Sequence, residues 1–191
     1  MDSIRVVGGN PLSGRVAVHG AKNAVLKHMV AMLLAPGKYR LDNVPGILDV
    51  DIMGEVLDHV GASCTRTGSV MEVDVPERLN PEAPLELVRR MRASILILGA
   101  LLARLGEARV ALPGGDDFGS RPIDMHLDGL RSMGAEFELN HGVLEARAPD
   151  GLHGTEVFLE FPSVGATENL LLAAVLARGT TVIGNAAREP E

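Results

Sequence analysis

The sequence predicts an α/β protein built from a repeated unit of helix, strand, helix, strand and strand, each unit preceded by a further strand. Its most apolar helices should be buried and its sheets outermost. Three observations carry that expectation. The segments "AKNAVLKHMVAMLLAPGKYRLDNV" from Ala21, "MRASILILGALLARLGEARVALPG" from Met91 and "VGATENLLLAAVLARGTTVIGNAA" from Val164 superimpose, each reading as apolar helix, glycine stop and short strand. The matching glycines, Gly37, Gly106 and Gly179, lie 69 (106 − 37) and 73 (179 − 106) residues apart. Past the strand, "DIMGEVLDHVGASCTRTGSVMEVDV" matches "DMHLDGLRSMGAEFELNHGVLEARA" when Asp51 is set over Asp124.

Taken in order, the alternation in "RVAVHG" (Arg15–Gly20) reads as the strand that precedes the first unit. The helix from Ala21 is apolar on nearly every side and should be buried. The helix from Asp51 has a polar face and should lie outside. It ends at Gly61-Ala62 and leads into two short strands about a tight turn at Gly68. The second unit repeats the series: the apolar "ASILILGALLA", a strand, the amphipathic "DMHLDGLRSMG", Gly134-Ala135, and two strands about Gly142. "TEVFLEF" is the strand before the third unit, whose buried helix is expected from about Val164 to Arg178. The third copy stops at "NAAREPE", without a second helix or closing hairpin.

Composition bounds the function classes. With 191 residues, 46% hydrophobic and 23% charged, the chain can bury one substantial core. No run reaches the ~18 apolar residues that span a bilayer, and "MDSIRVVGGN" lacks the pattern of a secretory leader, so a cytoplasmic protein with no membrane partner is expected. The single cysteine, Cys64, excludes an internal disulfide and a cysteine zinc cluster, and reads as a small buried apolar residue. A net charge of −7, no Trp and one Tyr argue against nucleic-acid binding. The six histidines have no metal-ligand spacing and read as structural or solvated. No phosphate loop or dinucleotide fingerprint is present, because the glycines of "VVGGN" are wrongly spaced.

In combination, "GAKNAVLK", "MRASILILG", "LPGGDDFGSRPIDMH", "PSVGATENLLLAAVLA" and "NAAREPE" resemble the signature segments of the UDP-N-acetylglucosamine enolpyruvyl (1-carboxyvinyl) transferases, collinearly from about Ile4 to Glu191. The resemblance implies an inside-out α/β barrel of βαβαββ units, two such domains per enzyme, and an active site in the cleft between them. This chain resembles the N-terminal portion: residues 1–20 would be strands belonging to the other domain, and 21–191 one domain of three units, the last incomplete. The implied reaction moves the enolpyruvyl group of phosphoenolpyruvate to the 3′-hydroxyl of UDP-N-acetylglucosamine by addition and elimination. It is the first committed step of peptidoglycan synthesis, and it needs no metal or organic cofactor.

Carried over residue by residue, the resemblance puts Lys22 on phosphoenolpyruvate, Asn23 on the sugar nucleotide, and Arg92 facing the same ligands. It puts Arg121, Pro122, Ile123, Asp124 and Met125 on the uridine and diphosphate side. Ser163, Val164 and Gly165 would do likewise at the start of the third buried helix. Cations and helix-start amides suit these anionic substrates. Asp116 stands where most of the family has cysteine, and is expected to be the catalytic proton donor on a Gly-Gly hinge; its neighbour Asp117 is the competing assignment. Phe161 is a second departure, at a position where many members have lysine.

Three readings follow. The first is this transferase or a part of it, inactive alone because the family's hydroxyl-deprotonating aspartate and another arginine lie in the second domain. The second is the sister transferase acting on shikimate 3-phosphate. The third is a non-catalytic sugar-nucleotide-binding module. In each case, self-association through the uncovered third helix is expected.

Overall fold

The computed structural model describes residues 3–83, 85–91, 95–111 and 123–191. Helix α1 (Lys22–Ala31) runs through a short 3₁₀ turn (Met32–Leu34) into β1 (Gly37–Leu41), followed by α2 (Leu48–His59) and the strands β2 (Ser63–Thr67) and β3 (Val70–Val75). After α3 (Leu85–Arg90) come α4 (Leu96–Leu105), β4 (Glu107–Ala111), α5 (Asp124–Ser132), β5 (Glu136–Asn140) and β6 (Val143–Arg147). The series closes with β7 (Glu156–Phe158), α6 (Val164–Ala174) and β8 (Val182–Gly184).

The two hairpins form where glycine permits a left-handed turn. Gly68 has φ of 60° between β2 and β3, and His141-Gly142 has φ of 51° and 83° between β5 and β6, the paired positive values of a tight hairpin turn. Each hairpin recruits the strand that follows its unit's first helix, giving antiparallel sheets of order β1-β3-β2 and β4-β6-β5. β7 and β8 pair in parallel. Burial alternates along β3, where Met71, Val73 and Val75 point to the core and Glu72 and Asp74 to water, so this sheet covers the helices with one face.

Helix α4 is the centre: every residue from Leu96 to Leu102 is buried. It ends at Gly106, whose φ of 75° and N–H bond to the Leu102 carbonyl make a left-handed C-cap. α4 packs on α6 and α1, and α5 packs on α6. Helix α1 is less apolar than its sequence suggests. Val25, Leu26, Met29 and Val30 face the core, whereas Lys22 and Asn23 are exposed. Helix α6 stops at Ala174, short of the expected Arg178, and Val175 and Leu176 form an exposed turn.

The N-terminal stretch has no ladder partner within the described residues. Residues 3–20 form neither helix nor strand, and Val16 and Val18 are exposed. A strand is defined by a ladder partner, and alternation without one leaves an extended segment. Cys64 is only half-buried, in β2, where its N–H donates to Asp58 Oδ1 at 2.7 Å.

Candidate functional site

The first turns of four helices open onto one cavity of about 580 Å³. Helix α1 contributes Asn23, Leu26 and Lys27, and α4 contributes Ile95 and Leu96. Helix α5 adds Ile123 and His126, while Phe161, Pro162, the run Ser163–Gly165 and Glu168 come from the entry to α6. Unsatisfied amides and aligned dipoles at helix starts favour anions and oxygen-rich groups, and here four such ends share one space.

Each entry has a local cause. Ser163 caps α6, its Oγ accepting from the Ala166 N–H at 3.3 Å. Thr167 Oγ1 donates to the Ser163 carbonyl at 2.7 Å and accepts from the Ala187 N–H at 3.0 Å, tying the segment after β8 to the same turn. Gly165 leaves room for a ring, since a Cβ there would lie 3.2 and 3.3 Å from Cε1 and Nε2 of His126.

Behind the cavity lies a buried polar node. Asn169, fully buried in α6, accepts from the Gly99 N–H through Oδ1 at 2.8 Å and donates through Nδ2 to the Ile95 carbonyl at 3.2 Å. Nδ2 also lies 3.0 Å from His126 Nδ1. The two backbone contacts fix the orientation of the amide, so Nδ1 of His126 is the acceptor and its proton resides on Nε2.

An ion-pair cluster forms the cavity's charged side. Lys27 pairs with Glu168, and with Glu191 at 2.8 Å. Burial opposes the Lys27 charge most strongly, but the hydrogen bonds and charges of Glu168 and Glu191 together raise its pKa above the ordinary value. Burial pushes the Glu168 carboxyl up; Lys27 pulls it down, and Glu191 and Glu189 add to the rise.

The structure therefore brings together Asn23, Ile123, Ser163, Val164 and Gly165 from the sequence-based set. Lys22 stands one residue before Asn23 with its ammonium 2.9 Å from Asp49, largely exposed. Asp124, also exposed, accepts from the Met125 N–H at 3.0 Å, and the Met125 side chain packs against the core. Arg92, Asp116, Asp117, Arg121 and Pro122 lie outside the described residues. Phe161 is exposed at the rim. Sequence reasoning passed over Lys27, Glu168, His126 and Asn169. The first two had a usable signal, since each lies one helical turn beyond a predicted ligand residue, Asn23 and Val164. Among the described residues there is no group of three or more His, Cys, Asp or Glu side chains suited to a metal, and no helix long and apolar enough to cross a membrane.

Residues 6–191 match the model of the EPSP synthase (3-phosphoshikimate 1-carboxyvinyltransferase) family. The chain is 54% identical over 191 residues to a UDP-N-acetylglucosamine 1-carboxyvinyltransferase of Acidiphilium cryptum, covering 100% of this chain and 46% of that protein. It is 55% identical over 186 residues to the enzyme of the same name from Mycobacterium tuberculosis, covering 97% of this chain and 44% of the relative. The chain thus spans about half the length of the curated relatives it matches. Among solved structures, the enolpyruvyl transferase NikO from Streptomyces tendae superimposes with a TM-score of 0.77 at 27% identity, over 92% of this chain and 41% of NikO. An EPSP synthase from Acinetobacter baumannii gives a TM-score of 0.67 at 20% identity, over 93% of this chain and 40% of that one, a likeness of fold.

Proposed function

The chain belongs to the EPSP synthase (3-phosphoshikimate 1-carboxyvinyltransferase) family, and from that premise we propose that it forms one side of an active site that transfers the enolpyruvyl group of phosphoenolpyruvate to UDP-N-acetylglucosamine. The observation that carries this reading is the meeting of Asn23, Ile123 and Ser163–Gly165 at one cavity of four helix starts. These residues come from three separate signature segments. Among family substrates the sugar nucleotide is favoured because relatives carrying that name are 54% and 55% identical to this chain, against 20% for the EPSP synthase structure.

In this reading the chain is one inside-out α/β domain of three βαβαββ units, and residues 1–20 find their ladder partners in a second domain. The amides at the α5 and α6 starts face the diphosphate, Asn23 the sugar, Lys22 the phosphoenolpyruvate, and Arg92 both ligands, while Arg121 serves the uridine and diphosphate side and also reaches the phosphate region. The 3′-oxygen, giving up its proton to an aspartate of the second domain, bonds to C2 of phosphoenolpyruvate while Asp116 delivers a proton to C3. Loss of a C3 proton then expels inorganic phosphate and restores the vinyl group. Lys22 would have to leave Asp49 to reach a ligand, a small cost for so exposed a pair.

The test is phosphate release by the full-length gene product with phosphoenolpyruvate and either UDP-N-acetylglucosamine or shikimate 3-phosphate. Release that saturates with the sugar nucleotide alone is expected; preference for shikimate 3-phosphate would overturn the assignment. The 191-residue chain by itself should release none, because the family's hydroxyl-deprotonating aspartate belongs to the second domain.

A further inference from the structure

We propose that Lys27 and Glu168 are positioning residues: their ion pair, braced by Glu191, holds the first turns of α1 and α6 at a fixed separation and so keeps Asn23 opposite Ser163–Gly165 across the cavity. The proposal rests on the reading of that cavity as the sugar-nucleotide site.

Helical spacing makes the link direct. Lys27 follows Asn23 by four residues and Glu168 follows Val164 by four, so each charged side chain stands one turn inside a ligand-facing residue on the same face of its helix. The pair crosses from α1 to α6 and lines the cavity itself.

The pair is also well placed to transmit position. The two side chains are 15% and 16% exposed, so water screens them little, and separating them would leave a charge in a poorly solvated site. Lys27 offers three N–H donors, and two carboxylates from different segments use them. The segment bearing Glu191 is anchored independently: Asn185 Nδ2 donates to the Leu159 carbonyl at 3.0 Å, and the Ala187 N–H donates to Thr167 Oγ1, which itself holds the Ser163 carbonyl. Two routes therefore converge on the α6 entry, one through Lys27 and Glu168 and one through Thr167 and Ser163.

The experiment uses the full-length gene product with Lys27→Met, Glu168→Gln, Lys27→Arg and the swap Lys27→Glu/Glu168→Lys. Two readouts are taken: amide hydrogen exchange, and calorimetric titration with UDP-N-acetylglucosamine. Each neutralising variant should speed exchange about tenfold at the first backbone-bonded amides of both helices, from Val25 in α1 and Thr167 in α6, while the β2–β3 hairpin keeps its protection. Lys27→Arg should retain protection and the swap should recover part of it. Sugar-nucleotide affinity should fall about tenfold in step. Loss confined to the mutated helix, uniform loss across the chain, or unchanged affinity in a variant whose helix starts have loosened would each overturn the proposal. Cross-helix loosening in a full-length protein that binds no sugar nucleotide even as wild type would leave the clamp standing, and would instead remove the sugar-nucleotide reading of the cavity.

Discussion

Cys64 shows how far a residue's chemistry is set by its neighbours. Burial first, and then the charge and hydrogen bond of Asp58, push its thiol up from 9.0 to about 12. A folded pKa above the unfolded one adds stability below the ordinary thiol value, and that stability is lost as pH rises through about 12. At pH 8 the thiolate fraction is about four orders of magnitude below unity, so iodoacetamide should alkylate native Cys64 roughly a thousandfold more slowly than the unfolded chain. Native and unfolded rates within tenfold of each other would refute the shift. Asp116 is the opposite case, a proposed reactive residue standing where a thiol is usual. In the full-length protein, Asp116→Cys should keep turnover and become sensitive to the epoxide fosfomycin, since a thiolate opens an epoxide far faster than a carboxylate does. Asp116→Asn should lose turnover, and Asp117→Asn should change it much less; the reverse order would make Asp117 the proton donor. At this scale Asn23 and Ser163 were legible because a motif of several residues carried them. Lys27 and Glu168 could be placed only on the cavity-facing side of their helices by spacing; that they pair was not legible, because each partner is more than a hundred residues away.

Between α4 and α6 the energetics centre on one amide. Asn169→Ala would remove the side-chain acceptor of the Gly99 N–H, the side-chain donor to the Ile95 carbonyl and the amide beside His126 Nδ1. Buried polar groups stripped of partners cost about 1–3 kcal/mol each, so a loss of about 3 kcal/mol is expected from urea unfolding. Asn169→Leu should do no better despite its apolar surroundings, and a loss under about 1 kcal/mol for either would show that water satisfies the node. Ser163→Ala removes the α6 cap and should cost about 1 kcal/mol. Gly99→Ala should also destabilise, since a Cβ would overlap both the side-chain and backbone oxygens of Asn169. The sequence announced α4 clearly through its apolar run, and both hairpins through their turn glycines. It did not announce the α4–α6 node, because one Asn in "TENLLLAA" looks like any tolerated polar residue until the opposing Gly99 is seen to make room for it.

Among the described residues, large apolar side chains stand in water along the N-terminal stretch and around the third buried helix. On β7, α6 and β8, Phe158 is 79% exposed, Val175 65% and Leu171 54%, with Leu176 and Val182 also uncovered. The repeat read from Gly37, Gly106 and Gly179 led to an expectation of uncovered surface here; β1 and β4 are each followed by a helix and a hairpin. For the bare stretch 3–20 the alternation in "RVAVHG" describes only half of a ladder, and the other half is a property of whatever it pairs with. Apolar side chains gathered in one region associate because each side chain fully buried contributes about 1.5–3 kcal/mol, whereas the same residues scattered singly would not. Opposing this, the net charge of −7 repels like copies, and that repulsion weakens as salt shortens the Debye length to ~8 Å at physiological strength. The two effects together give the expected outcome a direction: association of the 191-residue chain at tens of micromolar that strengthens with added salt, followed by sedimentation velocity. Val175→Lys/Leu171→Lys should restore the monomer at every salt concentration, because it removes apolar area and adds charge at the same place. Association that weakened with salt would make the contact electrostatic, and association that survived the double substitution would locate it elsewhere.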